Sequence, residues 1–208
     1  MGGRLGILGA GKLGTAVARL AVDAGRDVLI ADVRTGPMIE LIVSTVAAGA
    51  LLVGVDEMLA SSDIVLLAIP YSRVGELDVA TLEHAIVIDA TNPWLEADGV
   101  HPPESPLRGR PGLRLVRSLN HVAYEELMSY AEPAGAPFRT AIAVASDDIE
   151  ARTEVAALVD ALGFDPVELD DRNAWLLDAN GPFFGRRLNK VEMTALVSAS
   201  RRADRLTW

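Results

Sequence analysis

Three glycines near the start of the chain, Gly9, Gly11 and Gly14, stand at the spacing G-x-G-x-x-G within Leu5-Gly6-Ile7-Leu8-Gly9-Ala10-Gly11-Lys12-Leu13-Gly14. At that spacing glycine meets three separate needs: a sharp turn at Gly9, close approach of a ligand to the main chain at Gly11, and tight helix-on-strand packing at Gly14. The ligand that suits such a turn is a pyrophosphate, held by the unpaired N–H groups and positive dipole end of the following helix. Ala10, Lys12 and Leu13 complete the phosphate-binding turn. Asp32 closes the next apolar run, close to the roughly twenty-residue distance at which a carboxylate accepts hydrogen bonds from an adenosine ribose. A carboxylate there repels the extra phosphate of NADP, whereas Arg34, two residues on, offers that phosphate a guanidinium. NAD and NADP therefore both stay open as the cofactor.

A second set of candidates follows a later apolar run. Asn120 and His121 sit where a strand over 113–117 gives way to a helix over 120–130. A neutral imidazole in that place can donate to a substrate carbonyl or pass a proton, because its ordinary pKa lies near neutrality. The alternative is that His121 caps the helix. His84 and His101 occupy weaker positions, before a buried strand and in a proline-rich loop. Trp94 and Trp175 offer flat faces for stacking, although core or interface packing is the commoner use of tryptophan. No His, Asp or Glu spacing suggests a metal, and no serine stands in a nucleophile elbow. The chain has no cysteine, which removes disulfides, thiolate nucleophiles and thiolate metal sites together.

The elements that position these residues alternate. An apolar strand over 5–8 leads into a helix over 12–24, and a second strand over 27–31 ends at Asp32. A helix over 38–48, with Pro37 suited to its first turn, precedes a strand over 50–53 and a short helix over 55–60. The runs 64–69 and 85–90 are apolar almost throughout, as parallel strands covered on both faces are, with a helical stretch over 71–82 between them. Five strands in this alternation predict an α/β fold, a Rossmann doubly wound parallel sheet. The proline-rich stretch 95–112 reads as a loop at the carboxyl end of the fifth strand, where open α/β sheets bind ligands. Further strands over 140–145 and 166–169, a helix over 148–162 capped by Asp147, and helices over 172–177 and 185–205 make a small C-terminal α+β annex. The expected division is a dinucleotide-binding domain over 1–119 and a smaller substrate or dimerisation domain over 120–208.

At 208 residues, half of them hydrophobic, the chain can bury a sizeable core. A formal net charge of −10 argues against nucleic acid and anionic membrane surfaces as partners, since both would repel it. No apolar segment is long enough to span a bilayer and no signal-peptide pattern opens the chain, so a cytoplasmic protein is expected. The turn Asn180-Gly181-Pro182-Phe183-Phe184 reads as dimer contact or pocket wall, and the apolar stripe Val191, Met193, Leu196 and Val197 as a dimer surface or an inward-packed face.

Taken together, Gly9-Ala10-Gly11-Lys12-Leu13-Gly14, Asp63-Ile64-Val65-Leu66-Leu67-Ala68-Ile69-Pro70, Val87-Ile88-Asp89-Ala90-Thr91-Asn92-Pro93, Leu115-Val116-Arg117-Ser118-Leu119-Asn120-His121 and Leu162-Gly163-Phe164-Asp165-Pro166-Val167 resemble, in order and spacing, the NADP-dependent reductases of the deazaflavin coenzyme F-420. The resemblance implies a hydride-transferring oxidoreductase using NADP or NAD, with a deazaflavin, a flavin or another small molecule as second substrate, and a homodimer. It places the turns after the fourth and fifth strands beside the nicotinamide, so that Ile69 and Pro70 form its floor and Asn92 and Pro93 contact the ribose or carboxamide. It departs at Ala31-Asp32-Val33-Arg34, where the family's NADP-binding members resemble Ser-Arg or Gly-Ser. Two other readings are an imine or keto-acid reductase, and a nucleotide-sensing protein without catalysis.

Overall fold

The computed structural model describes residues 3–93 and 105–204, with side chains through residue 200; Trp94 and His101 lie outside it. Two compact units divide the chain, Met1–Val116 and Arg117–Trp208.

In the first unit β1 (Leu5–Leu8) runs into α1 (Lys12–Asp23), followed by β2 (Val28–Ala31), α2 (Pro37–Val46), β3 (Leu51–Leu52), α3 (Val55–Ser61), β4 (Ile64–Leu67), α4 (Tyr71–Val74) and β5 (Ile86–Asp89). The strands lie in the order β3-β2-β1-β4-β5 and every pairing is parallel. That order, reversing direction across β1, is the Rossmann arrangement. β1, β2, β4 and β5 are buried at every residue, which is why their sequences carry no apolar–polar alternation. Their side chains pack on α3 and the 71–82 segment through Leu8, Leu29, Met58, Val65, Leu67, Val74, Leu82 and Val87. The expected helix over 71–82 is broken. α4 stops at Gly75, and a separate 3₁₀ turn, Val79–Leu82, starts at Asp78, whose side chain accepts from the Ala80 N–H at 3.2 Å. An aspartate that binds nearby backbone in this way starts a new turn rather than continuing an old one.

The second unit contains the end of β6 (Arg114–Ser118), α5 (Tyr124–Tyr130), β7 (Ala141–Ala145), α6 (Ile149–Ala161), β8 (Asp165–Leu169), a 3₁₀ segment Asp171–Leu177 and α7 (Lys190–Asp204). β7 and β8 pair in parallel across α6, but β6 meets β7 antiparallel, Arg117 opposite Ala145 and Ser118 opposite Val144. The cap of α6 is Asp148, one residue beyond the expected Asp147; its Oδ1 accepts from Ala151 N–H at 3.0 Å, while Asp147 accepts from Asp171 N–H. α7 starts at Lys190 rather than 185. There Asn189 Oδ1 accepts from the N–H groups of Val191 and Glu192 while Glu192 Oε2 accepts from Asn189 N–H, a reciprocal cap that sets the helix start. Met193, Leu196 and Val197 pack inward with Phe183, Leu176 and Leu177, and Val191 alone of the apolar stripe is exposed. Phe183 is therefore core, not contact surface.

Candidate functional site

The site is built at the carboxyl ends of four neighbouring parallel strands, β2, β1, β4 and β5. After Leu8 the chain turns at Gly9, with φ 112°, a left-handed backbone that side chains resist. Gly9 N–H donates to Ala31 O at 2.7 Å, and a Cβ at Gly9 would run into the carbonyl of Ala68. At Gly14 a Cβ would collide with the carbonyl oxygen of Gly9 and press on Ile7 Cγ2 at 3.2 Å, so helix α1 can lie this close to β1 only without one. Gly11 differs from both: a Cβ there meets nothing within 4 Å. The space it faces is open, and a side chain would fill it.

Gly11 is also the N-cap of α1, and no side chain caps the helix. The first-turn N–H groups of a helix have no partner within it. Here no acidic side chain stands in the first turn to satisfy the dipole either. Thr15 turns inward, its hydroxyl donating to Gly11 O at 2.8 Å, which holds the corner. Ala10 is buried, Leu13 half-buried and Lys12 exposed. Open ground beside Gly11 in front of an uncapped helix of twelve residues fits a dinucleotide's pyrophosphate.

Asp32 connects this corner to the end of β2. Its Oδ2 accepts from Ala10 N–H at 2.8 Å, and Arg34 grips it from outside through the backbone N–H, Nε and Nη2 at 2.8–2.9 Å. Burial pushes the carboxyl up, but the hydrogen bonds from Arg34 and Ala10 outweigh it and hold Asp32 below its ordinary value. The same pairing raises Arg34.

Beside Gly9, β4 ends in Ala68-Ile69-Pro70. Ala68 N–H donates to Leu8 O at 2.9 Å, and Ile69 Cγ2 lies 3.3 Å from where a Gly9 Cβ would stand. Pro70 is exposed and is the N-cap of α4. Pairing of Leu67 with Asp89 sets the end of β5 next to that of β4. Asp89, fully buried, accepts from Thr91 N–H at 2.9 Å and Thr91 Oγ1 at 2.7 Å, and so shapes the Thr91-Asn92-Pro93 turn. Within the apolar run 85–90 the sequence gives Asp89 no role of its own; an aspartate two residues before a threonine at a strand terminus is the signal that finds it. The structure thus brings Gly9, Ala10, Gly11, Asp32, Ile69, Pro70, Asn92 and Pro93 to adjoining strand ends of one unit.

Asn120 and His121 belong to the second unit. No helix starts there: α5 begins at Tyr124 with Ala123 as its N-cap, so His121 is no cap. Instead Leu119 takes φ 64°, and both side chains turn into their own unit. Asn120 Nδ2 donates to Leu177 O at 2.8 Å; His121 Nε2 accepts from Ala143 N–H at 3.3 Å and packs 6.2 Å from the ring of Phe183. An acceptor at Nε2 assigns the imidazole proton to Nδ1, which is buried without a hydrogen-bond partner among the described residues. Burial, with the Arg117 charge, pushes His121 down to about 3. It is a neutral ring able to donate one hydrogen bond. Trp175 is half-exposed on its 3₁₀ segment.

Among the described residues no three His, Asp or Glu side chains gather to hold a metal. An open hollow of about 450 Å³ between α3 and the segment before β5, lined by Asp56, Leu59, Ala60, Thr81 and His84, lies toward the amino end of β5, away from the strand ends that form the site.

Fold and corner together define a dinucleotide-binding α/β protein. Residues 4–93, which carry the corner and all four strand ends, match the family of coenzyme F-420-dependent NADP oxidoreductases, and over those residues the resemblance read from the sequence is shown. On that match the chain is an NAD(P)-dependent oxidoreductase. No curated protein matches the chain. Among solved structures, a hypothetical protein of Sinorhizobium meliloti is 24% identical with a TM-score of 0.74, covering 91% of this chain and 96% of its own. A candidate F-420-dependent NADP reductase of Arthrobacter sp. FB24 is 22% identical with a TM-score of 0.66, covering 83% and 87%. An imine reductase of Myxococcus stipitatus in complex with NADP+ is 15% identical with a TM-score of 0.58, over 81% of this chain and 55% of that one. At such identities these likenesses speak for the fold.

Proposed function

We propose that the chain moves a hydride between NAD(P) and coenzyme F-420, a flavin or another small organic acceptor. The observation that carries this is the glycine corner, open at Gly11 in front of an uncapped helix, within a segment of the F-420-dependent type. The nicotinamide, when bound, supplies or receives the hydride. What remains for the protein is alignment. The main chain of Gly9 to Gly14 holds the pyrophosphate and Asp32 takes the adenosine ribose. Ile69 and Pro70 form an apolar floor, and Asn92 and Pro93 contact the ribose or carboxamide, their turn braced by Asp89. Asn120 and His121 stay the candidates for contact with the acceptor in this proposal, His121 as a neutral ring and not as an acid.

An imidazole lowered to about 3 holds no spare proton near neutral pH, so the proton that any of these acceptors takes up with the hydride comes from solvent and not from His121. The engagement of Asn120 and His121 with backbone groups favours, as the second reading, a sensor that binds the nucleotide without catalysis. Purified protein should oxidise NADPH or NADH with coenzyme F-420 or a flavin in a spectrophotometric assay. Tight nucleotide binding with no turnover on any acceptor would leave the sensor. We also propose a cytoplasmic homodimer acting on small molecules, without nucleic-acid or membrane partners. The net charge of −10 supports the last clause, and no helix among the described residues is long and apolar enough to cross a membrane. The inward packing of Met193 and Val197 removes α7's stripe as an argument for the dimer, and sedimentation as a monomer would end it.

A further inference from the structure

The Asp32 carboxylate has no acceptor capacity left. A carboxylate offers about four lone-pair directions, two on each oxygen. Oδ1 receives Arg34 N–H at 2.9 Å and Nε–H at 2.8 Å; Oδ2 receives Ala10 N–H and Arg34 Nη2–H, both at 2.8 Å. A ribose hydroxyl can donate to Asp32 only where one of these four is given up. The Ala10 bond is built into the glycine corner, and the Arg34 N–H bond into the turn after β2. The two guanidinium bonds are different. They come from a side chain 62% exposed, closing over a carboxylate that is 5% exposed. An ion pair open to water on one side is the cheapest of the four to break.

We infer that Arg34 is a specificity-determining latch on Asp32, which a nucleotide's 2′-phosphate draws off and a plain ribose must displace. This rests on the dinucleotide-binding reading above. Closed, the latch holds the guanidinium charge where a 2′-phosphate would arrive. Opened by NADP(H), the planar guanidinium exchanges a singly charged carboxylate for a more highly charged oxyanion that it fits equally well. Opened by NAD(H), it finds nothing in return. Asp32 thus marks the site for a ribose diol while Arg34 makes it tolerate the phosphate, and the balance between the two nucleotides sits in one exposed side chain.

Calorimetric titration of the full chain with NADP+ and with NAD+ tests this without any acceptor. Arg34→Ala should weaken NADP+ by at least about tenfold, the low end for charge-assisted hydrogen bonds, while NAD+ binds a few-fold tighter; weakened NADP+ with unchanged NAD+ would leave Arg34 a phosphate contact only and overturn the latch. Arg34→Lys keeps the charge, loses the fork, and should move the ratio part of the way in the same direction. Asp32→Asn should tighten NADP+ and, in that background, Arg34→Ala should no longer help NAD+. An unchanged ratio in both Arg34 variants, or equal weakening of both nucleotides, overturns the latch while leaving the dinucleotide reading intact. A wild-type chain that binds neither nucleotide overturns both. Should Arg34→Ala fail to fold by circular dichroism, the Lys variant decides alone.

Discussion

The glycine corner and the Leu119–His121 turn are both places where the chain leaves a strand in left-handed backbone, and they are built in opposite ways. At Gly9 the strained residue is a glycine, side chains are excluded at Gly14, and the N-terminus of α1 carries no side-chain cap. At Leu119 the strained residue is a buried leucine, and the polar groups that follow it turn inward to satisfy backbone from Ala143 and Leu177. The first turn keeps the space beside Gly11 open. The second spends Asn120 Nδ2 and His121 Nε2 on its own unit. What makes a site is therefore the groups a turn leaves over, not the strain itself.

Breaking the corner should have the largest effect. Gly14→Val drives a side chain into the carbonyl of Gly9 and is expected to cost about 3 kcal/mol in urea unfolding, the upper end for overpacking, and to abolish nucleotide binding. Gly11→Val sharpens the point by separating the two losses. With nothing within 4 Å, its stability should change by less than about 0.5 kcal/mol. Yet nucleotide affinity should fall roughly a hundredfold, the value of one or two charge-assisted hydrogen bonds. Unweakened binding in a folded Gly11→Val protein would remove the pyrophosphate from this corner.

In the other turn the effects are on folding. His121 is held to about 3 in the native chain against 6.5 unfolded, so below pH 6.5 the unfolded state binds the extra proton. Stability is full above pH 6.5 and is lost as pH falls toward 3, with a slope approaching about 1.4 kcal/mol per pH unit from this group. His121→Phe should flatten that slope in denaturation curves taken from pH 7 to 4; the same slope in the variant would assign it elsewhere. The smallest effect is expected at Ser118, whose hydroxyl donates to Ala143 O at 2.8 Å in full burial. Ser118→Ala should cost about 1 kcal/mol and leave nucleotide affinity untouched.

The contrast also explains which parts could be read in advance. The β1–α1–β2 unit, with Asp32 at its end, was readable because glycine spacing and apolar runs are local signals. The direction of β6 against β7 was not, since an apolar run looks the same either way round. Asn120 and His121 were misread as a helix start because their partners, Leu177 and Ala143, lie far along the chain, and the Asp78 turn that breaks 71–82 competes with a helical pattern by only a few hydrogen bonds. The saturation of Asp32 is a fact of geometry that composition does not carry.

The strand order has one more consequence. β1 is synthesised first, yet its two neighbours are β2 and β4, and Gly9 is not closed in until Ala68 arrives. A nascent chain that ends before Ile64 exposes one flank of its own central strand, and with it half of the phosphate corner. Loop closure over that span comes before any reward from the contact, so the birth of the binding turn is tied to a distant segment, and a ribosome-bound fragment stopping short of β4 should capture no nucleotide.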